Sequence, residues 1–530
     1  MSEQFTEFAD IVVVGSGPTG AAYARTLTDQ LPDAKILMIE AGPVIAEQLG
    51  HHVANIADLA KREAAQLASQ GPYRGKPYQP MTNEERLARD AGQPDASMLR
   101  RPGLFVVANA AVDSDEFPAA HAAAGVGGMG VHWFGACPTP SDSERIPFIE
   151  RPVMDEALAV ARSMLRVTNT QFPESTIKPT IEAVLGKMFN DGRPTARQVQ
   201  QMPMALVRSG DGILRSGPDV ILGNLLTEKS EKFELRTETV VRRIILEGTR
   251  AVGVELWNQA TQAVTFVGAN TVVVAADSLH TPQLLFASGI RPPALGHYLN
   301  EHPQVSIMAE LDGVPPSHAT TQVAGAIGGV LADRTVVSRI MNGVTWIPYL
   351  DEKFPFHVQM TEVEPESLPP ARRAVAERKT LLNVSFFLPS DLQYENCVTF
   401  SETEKDWCGR PAMRLRFKMS ERDHERMELA RQTIIKVCDA LGRPVQGDRP
   451  RTPPPGSSLH YQGTIRMGEA DDGLSVCDHN SRVWGHDNIY VAGNGLIPTM
   501  TAGNPTLTSV ALAVLGARDI AARYQAQAAA

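Results

Sequence analysis

Three glycines near the start of the chain are spaced to hold a phosphate. In Gly15-Ser16-Gly17-Pro18-Thr19-Gly20, Gly15 permits a tight turn, and Gly17 lets the backbone approach a pyrophosphate with no Cβ in the way. Gly20 lets a helix pack close to a strand, with Thr19 in the first turn beside the anion. Glu40 lies 20 residues after Gly20, where a carboxylate can accept hydrogen bonds from ribose hydroxyls. This chemistry is dinucleotide binding, and it needs particular elements around it. Asp10 to Val14 is a β-branched run that predicts a strand, and Ala21 to Leu31 has the spacing of a helix whose N-terminus faces the anion. Lys35 to Ile39 predicts a second strand that delivers Glu40 at its end.

The rest of the composition narrows the class. A chain of 530 residues allows two to four domains at roughly 150 residues each. With 43% hydrophobic and 21% charged residues, it is neither disordered, collagen-like nor membrane-embedded. Acidic residues outnumber basic ones by 60 to 50, a net charge of −10 that repels a phosphate backbone, so no nucleic acid partner is expected. Cys137, Cys397, Cys408, Cys438 and Cys477 have neither disulfide-framework nor zinc spacing, so no metal is expected and a reducing compartment is. No apolar run reaches the ~18 residues of a membrane span, and the acidic start differs from a signal peptide. The expectation is a soluble cytoplasmic protein with no membrane partner. Nothing in one chain fixes its oligomeric state.

The order of elements predicts an α/β fold with a discontinuous nucleotide domain. Residues 51–100, with Arg74, Arg86, Arg89, Arg100 and Arg101, read as a polar insertion, either a solvated excursion or an active-site lid. Phe233 to Ile245 and Ala251 to Leu256 predict hairpin-forming strands, and Thr271 to Ala276 a buried strand before a helix beginning near Thr281-Pro282. Strand-like segments then recur between 305 and 455, as a separate sheet-rich domain. Ile489 to Ala492 and a helix from Pro505 to about Tyr524 return to the first domain. The division expected is 1–50, 101–150, 205–304 and 456–530 for the nucleotide, with 151–204 and 305–455 for a substrate. His357, Gln359 and Thr361 share one face of a strand, as a solvent surface or the floor of a binding site. The charges from Glu421 to Arg426 read as a solvated helix surface.

This organisation resembles the glucose-methanol-choline (GMC) oxidoreductase family. Leu235 to Val241, Ala251 to Val254, and Thr281-Pro282-Gln283-Leu284-Leu285 are similar to its adenine-side elements, and Gly296 to Pro303 is similar to its following loop. Gly127-Gly128-Met129-Gly130-Val131-His132-Trp133 and Tyr394-Glu395-Asn396 resemble pyranose oxidases most, including bacterial members that oxidise sugars or glycosides. The resemblance implies FAD, to which Ala41-Gly42 after Glu40 also leans. It implies cofactor contacts at Gly128, Met129, His132, Trp133, Val241, Ala276, Asn494, Pro505 and Thr506. It places the catalytic pair at His460 and Asn504: a neutral imidazole can take a hydroxyl proton, and an amide can donate to the developing alkoxide. In fungal pyranose oxidases a Ser-Thr-His-Trp string carries a covalent flavin link. Gly130 and Val131 replace its hydroxyl residues and Phe134 the threonine after it, so noncovalent FAD is expected, with a link through His132 as the alternative. Gln359 matches a substrate-side glutamine, and Thr361 departs from the polar pattern that follows it.

The activity implied is oxidation of a pyranose or glycoside hydroxyl at C2 or C3, with O2 (giving H2O2) or a quinone as acceptor. The alternatives are a GMC-type dehydrogenase of a non-sugar alcohol and a noncatalytic flavin-binding redox protein.

Overall fold

The protein is described here from a computed structural model covering residues 5–69, 103–107, 111–113, 116–170, 175, 177–209, 212–228, 230–316, 343–363, 368 and 370–529. Its first strand, Glu7–Val14, is buried along its last four residues, as in a parallel strand covered on both faces. It runs parallel to Ile36–Ile39 on one side and to Val264–Val274 on the other. The intervening helix, Pro18–Gln30, takes in part of the glycine turn, because Pro18 is preset for a first helical position and the Ala21 amide donates to Gly17 O at 2.9 Å. It therefore starts three residues before the expected Ala21.

Phe233–Arg236 extends this sheet beside Ile36–Ile39, and Ile489–Val491 joins in parallel beside Val264–Val274. The other half of Val264–Val274 pairs antiparallel with Arg250–Asn258, which pairs with Thr239–Glu247. The run expected from Phe233 to Ile245 is thus two strands in different parts of the sheet. Glu238, at φ 51°, turns the chain between them.

Helix Asp277–Ala287 begins four residues ahead of the expected Thr281-Pro282. The Asp277 carboxylate accepts the Leu279 and His280 amides at 2.7 and 2.9 Å, closing the first turn. Pro282, inside the helix, cannot donate to the Ser278 carbonyl. The Thr464 hydroxyl donates to that carbonyl instead, so a distant residue permits what local rules forbid.

The second sheet is antiparallel, in the order Gly442–Pro444, Gln304–Leu311, Leu381–Phe387, His357–Glu362, Thr345–Ile347, Gln200–Gln201. Helices Glu421–Leu441 and Lys178–Phe189 pack Ile434, Val437, Ile181 and Leu185 against its Ile307, Val384 and Phe386. The start of Glu421–Leu441 is only in part the solvated surface expected: Glu421, Arg422, His424 and Glu425 are exposed. Asp423 and Arg426 are buried, and Arg426 donates to Asp391 and Asp423, both at 2.8 Å. Burial is tolerated there because each charge meets its opposite with hydrogen bonds.

Of the solvated, partly helical excursion expected over 51–100, the described part is helical with one face exposed and the other packed. It contains helix Leu59–Ala68, whose Ala65 packs with Ile45, Val53 and Val131. The five arginines singled out in that segment lie outside the described residues. No described helix is long and apolar enough to cross a membrane. The C-terminal helix, Thr506–Ala529, packs on Pro18–Gln30.

The glycine turn admits little change. A Cβ on Gly20 would sit 2.1 Å from Gly15 O, so Gly20→Ala is expected to destabilise the FAD-free protein by about 1–3 kcal/mol, the scale of overpacking. Thermal melting checks this, and an unchanged Tm would show that the turn yields.

Candidate active site

A cavity of about 1080 Å³ is lined by residues of both sheets, just above the roughly 300–1,000 Å³ usual for small-molecule sites. Its wall includes Gly15, Gly17, Thr19 and Glu40, then Val241 and Ala276, Gly128, Met129, His132 and Trp133, and Asn494 and Thr506. His460, Asn504, Gln359 and Thr361 line the same cavity. Two of the expected cofactor contacts stand apart. Gly20 supports Gly15 from behind, and Pro505 lines a separate cavity of about 20 Å³.

The glycine turn divides its work as the residue types suggest. Gly15 has φ 102°, and a Cβ there would lie 2.3 Å from Ala275 O. A Cβ on Gly17 would meet nothing closer than Gly127 O at 4.0 Å, so that side of its backbone is open to a ligand. Glu40 is engaged more fully than a free ribose partner would be. Its Oε2 accepts from Ser16 N and Oγ at 3.2 and 2.6 Å, and its Oε1 from Gly42 N and Gly125 N at 2.9 and 3.3 Å. All four lone-pair positions are taken, so a ribose hydroxyl must displace one, the Gly125 contact being the longest. Burial raises the Glu40 pKa against these bonds.

His132 is half-buried, its two ring nitrogens are buried without a hydrogen-bond partner among the described residues, and its ring presses on Gly103, where a Cβ would lie 2.3 Å away. Burial pushes its pKa down to about 4. Trp133 is pinned from two sides: its indole donates to Ser216 O, and its carbonyl meets His52 Nε2, both at 2.8 Å. Trp407, Arg410, Asp277 and His280 also line the cavity. Trp407-Cys408-Gly409-Arg410 reads only as a loop in the sequence, and the contact that places it, Gln283 Nε2 to Pro411 O at 2.8 Å, spans distant segments.

His460 and Asn504 come from two loops and meet. Asn504 Nδ2 lies 3.0 Å from His460 Nε2. The strand His357–Glu362 brings Gln359 to Asn504 Oδ1 at 2.6 Å. His357 accepts from Trp346 Nε1 at 3.0 Å and lies 2.9 Å from Gln359 Nε2. The face bearing His357 and Gln359 is buried and Thr361 half-buried. Asn383, Ser385 and Phe387 of the neighbouring strand line the cavity beside them.

Sequence reasoning missed His302, although its loop was noticed. His302 Nδ1 is 3.0 Å from His460 Nδ1. Burial first, then repulsion from His460 and His357, holds the His302 pKa well below the ordinary value. Burial and His460 push His357 to about 3. Both are therefore neutral near pH 7.

The chain belongs to the GMC oxidoreductase family. Residues 219–304 and 393–513 match that family's N- and C-terminal models, each described as GMC oxidoreductase. It is 41% identical over 515 residues to C-glycoside 3-oxidase of Arthrobacter globiformis, covering 97% of this chain and 95% of that one. It is 29% identical to pyranose 2-oxidase of Tricholoma matsutake, covering 98% and 94%. The crystal structure of pyridoxine 4-oxidase from Mesorbium loti has the same fold, with a TM-score of 0.64 at 18% identity, covering 96% of this chain and 99% of that one.

The family implies FAD, and the residues present fit it. The open Gly17 backbone, the size of the cavity and the buried, unpartnered ring nitrogens of His132 are each suited to a ligand of that kind. Gly15, Gly17 and Thr19 would hold the pyrophosphate, and Gly128, Met129, His132 and Trp133 would border the ring system.

Two outcomes follow. Gly17→Ala should leave the FAD-free melting temperature nearly unchanged but weaken FAD retention, measured by flavin titration; equal loss of stability would mean that Gly17 serves the fold. His132 also makes stability depend on pH. Between about 4 and the ordinary ~6.5 the unfolded chain binds a proton that the folded one refuses. That contribution is fully present above about pH 6.5 and is lost as pH falls through the window, by roughly 3 kcal/mol. FAD-free His132→Phe is expected to lose Tm less steeply from pH 7 to 4.5 than the parent.

Proposed function

We propose that the protein oxidises a secondary hydroxyl of a pyranose sugar or glycoside, at C2 or C3, to a keto-sugar. The observation that carries this is the contact of His460 with Asn504 beside the polar strand face that bears Gln359. The identity to a protein named C-glycoside 3-oxidase supports a glycoside as substrate and C3 as the carbon.

FAD, when bound, accepts the hydride from the carbinol carbon. His460 Nε2 takes the hydroxyl proton as the O–H bond breaks, and the Asn504 amide donates to the oxygen while it carries negative charge. Pro505 sets the start of helix Thr506–Ala529, whose N-terminal dipole adds to that stabilisation. Gln359 orients Asn504, and Thr361, Asn383 and Ser385 offer hydrogen bonds to the other sugar hydroxyls. The electron acceptor in this reading is O2, which would give H2O2, or a quinone.

FAD is noncovalent in this reading, because Gly130, Val131 and Phe134 give no hydroxyl groups to the flavin's edge. The cofactor part comprises 1–50, 101–150, 205–304 and 456–530, and the sugar part 151–204 and 305–455. In support, the parallel strands come from the former and most of the six-stranded sheet from the latter. All five cysteines are buried free thiols, which supports a cytoplasmic setting.

Three measurements test the reading. Anaerobic bleaching of flavin absorbance should be faster with an aryl glucoside than with free glucose at equal concentration; faster bleaching by glucose would favour oxidation at C2, and no bleaching by either would sink the sugar reading. His460→Ala should keep FAD but reduce it at least ~100-fold more slowly, the scale of a lost general base. Acid precipitation should leave the colour in the supernatant, whereas a yellow pellet would establish a covalent link.

A further inference from the structure

Past Glu40 the large cavity continues to a second set of polar side chains. The Thr239 amide donates to Glu40 O at 3.0 Å, and Trp407 and Ala41 pack against Val240 beside that contact. Where a glycine turn takes a pyrophosphate and the acidic residue after the second strand takes the ribose, the part of the ligand that reaches Trp407 is the base.

Arg410, which lines the cavity there, is only 8% exposed. Its Nε donates to Cys408 Sγ at 3.2 Å and lies 3.8 Å from Asp406 Oδ2. Neither terminal amino group has a hydrogen-bond partner among the described residues. Its remaining N–H donors are therefore held in a buried position without an acceptor, which is costly unless a ligand supplies one.

His280 lines the same cavity with the opposite need. The Asp277 carboxylate accepts the Nδ1 proton at 2.7 Å, so Nε2 of the uncharged ring holds a lone pair, to which no described residue donates. Gln283, one turn further along the helix, donates to Asp406 Oδ2 at 2.9 Å and to Pro411 O at 2.8 Å. Those bonds clamp the loop carrying Arg410 against the helix carrying His280. The ligand edge that suits the pair has an amino group beside a ring nitrogen, on a flat ring able to lie on the half-buried Trp407 indole. Adenine has such an edge, its 6-amino group next to N7. Guanine carries an oxygen at position 6, whose lone pairs would oppose that of His280.

We propose that Trp407, Arg410 and His280 form an adenine-selecting site that holds the base of the FAD. Asp406 to Arg410 joins strands Cys397–Lys405 and Pro411–Arg416, within the segment assigned to the sugar. That segment and the sheet bearing the glycine turn are thus fastened together through the cofactor's base. The inference rests on FAD being the cofactor.

The experiment has two arms. In the first, the full-length chain freed of FAD is offered FAD in competition with ADP or GDP. ADP should compete at least about tenfold better than GDP against the wild-type chain, and His280→Leu should narrow that preference. In the second, the rate at which FAD leaves the holoenzyme is followed by the recovery of flavin fluorescence. It should rise by about tenfold or more in Arg410→Gln and in Trp407→Leu, the scale of one lost charge-assisted hydrogen bond or one lost stacking contact, while Trp407→Phe stays near wild type. The first arm needs only the wild-type chain to decide the base, should a variant fail to fold. GDP competing as well as ADP, or FAD leaving Arg410→Gln at the wild-type rate, overturns the site. A wild-type chain that takes up no FAD would instead overturn the cofactor reading on which it rests.

Discussion

The 3.0 Å contact between His460 and Asn504 depends on two buried carboxylates that hold the loops carrying them. Glu301 accepts from the Gly456 amide at 2.7 Å and the Ser458 hydroxyl at 2.9 Å, and Ser458 Oγ in turn accepts from the His460 amide at 3.1 Å. Glu144 does the same for the other loop, accepting from Ala502 N and Gly503 N at 2.9 and 3.1 Å, and from Ser141 N at 2.6 Å. A buried carboxylate is costly unless its oxygens are satisfied, and here the loops carrying the site satisfy them. The two requirements reinforce each other: opening either loop would strand a charge, so both loops are held in place and the imidazole and amide stay aligned.

The parts of this arrangement that could be read from the sequence are those written locally. Gly15, Gly17 and Gly20 have their meaning within one strand, turn and helix, and the structure gives them distinct jobs at the expected positions. The alternation that put His357, Gln359 and Thr361 on one face also held, although their burial depended on the neighbouring strand Leu381–Phe387. What escaped the sequence were single polar residues whose partners lie far along the chain. Pro282 argues for a helix start that Thr464 makes unnecessary by supplying the missing donor, and Asp423 and Arg426 read as solvated charges although Arg426 is buried between Asp391 and Asp423. Glu144 and Glu301 belong to the same class. A loop glutamate looks alike in composition and periodicity whether it faces water or supports a catalytic loop.

The polar face that the site uses is a consequence of how the second sheet is covered. Helices Glu421–Leu441 and Lys178–Phe189 bury the side bearing Ile307, Val384 and Phe386, which leaves His357, Gln359 and Ser385 to point the other way, towards the glycine-rich sheet. Histidine, glutamine and serine remain neutral there, so the sheet presents hydrogen bonds without a fixed charge that would attract counter-ions into the cavity.

Ile489–Val491 completes the parallel sheet by pairing with Val272 to Val274, and Tyr524 in the last helix donates to the carbonyl of Asp10 in the first strand at 2.8 Å. On a ribosome these partners are separated by most of the chain. The sheet around Glu7–Val14 and the glycine turn cannot close until Ile489–Val491 has been made, while the antiparallel sheet between Gln304 and Pro444 has all but one short strand from a contiguous stretch. Contacts of such long sequence separation form slowly and leave apolar strand edges exposed meanwhile. The sheet that holds the glycine turn therefore depends on pairing between distant segments, and the apolar run from Ile11 to Val14 stays uncovered until those segments meet.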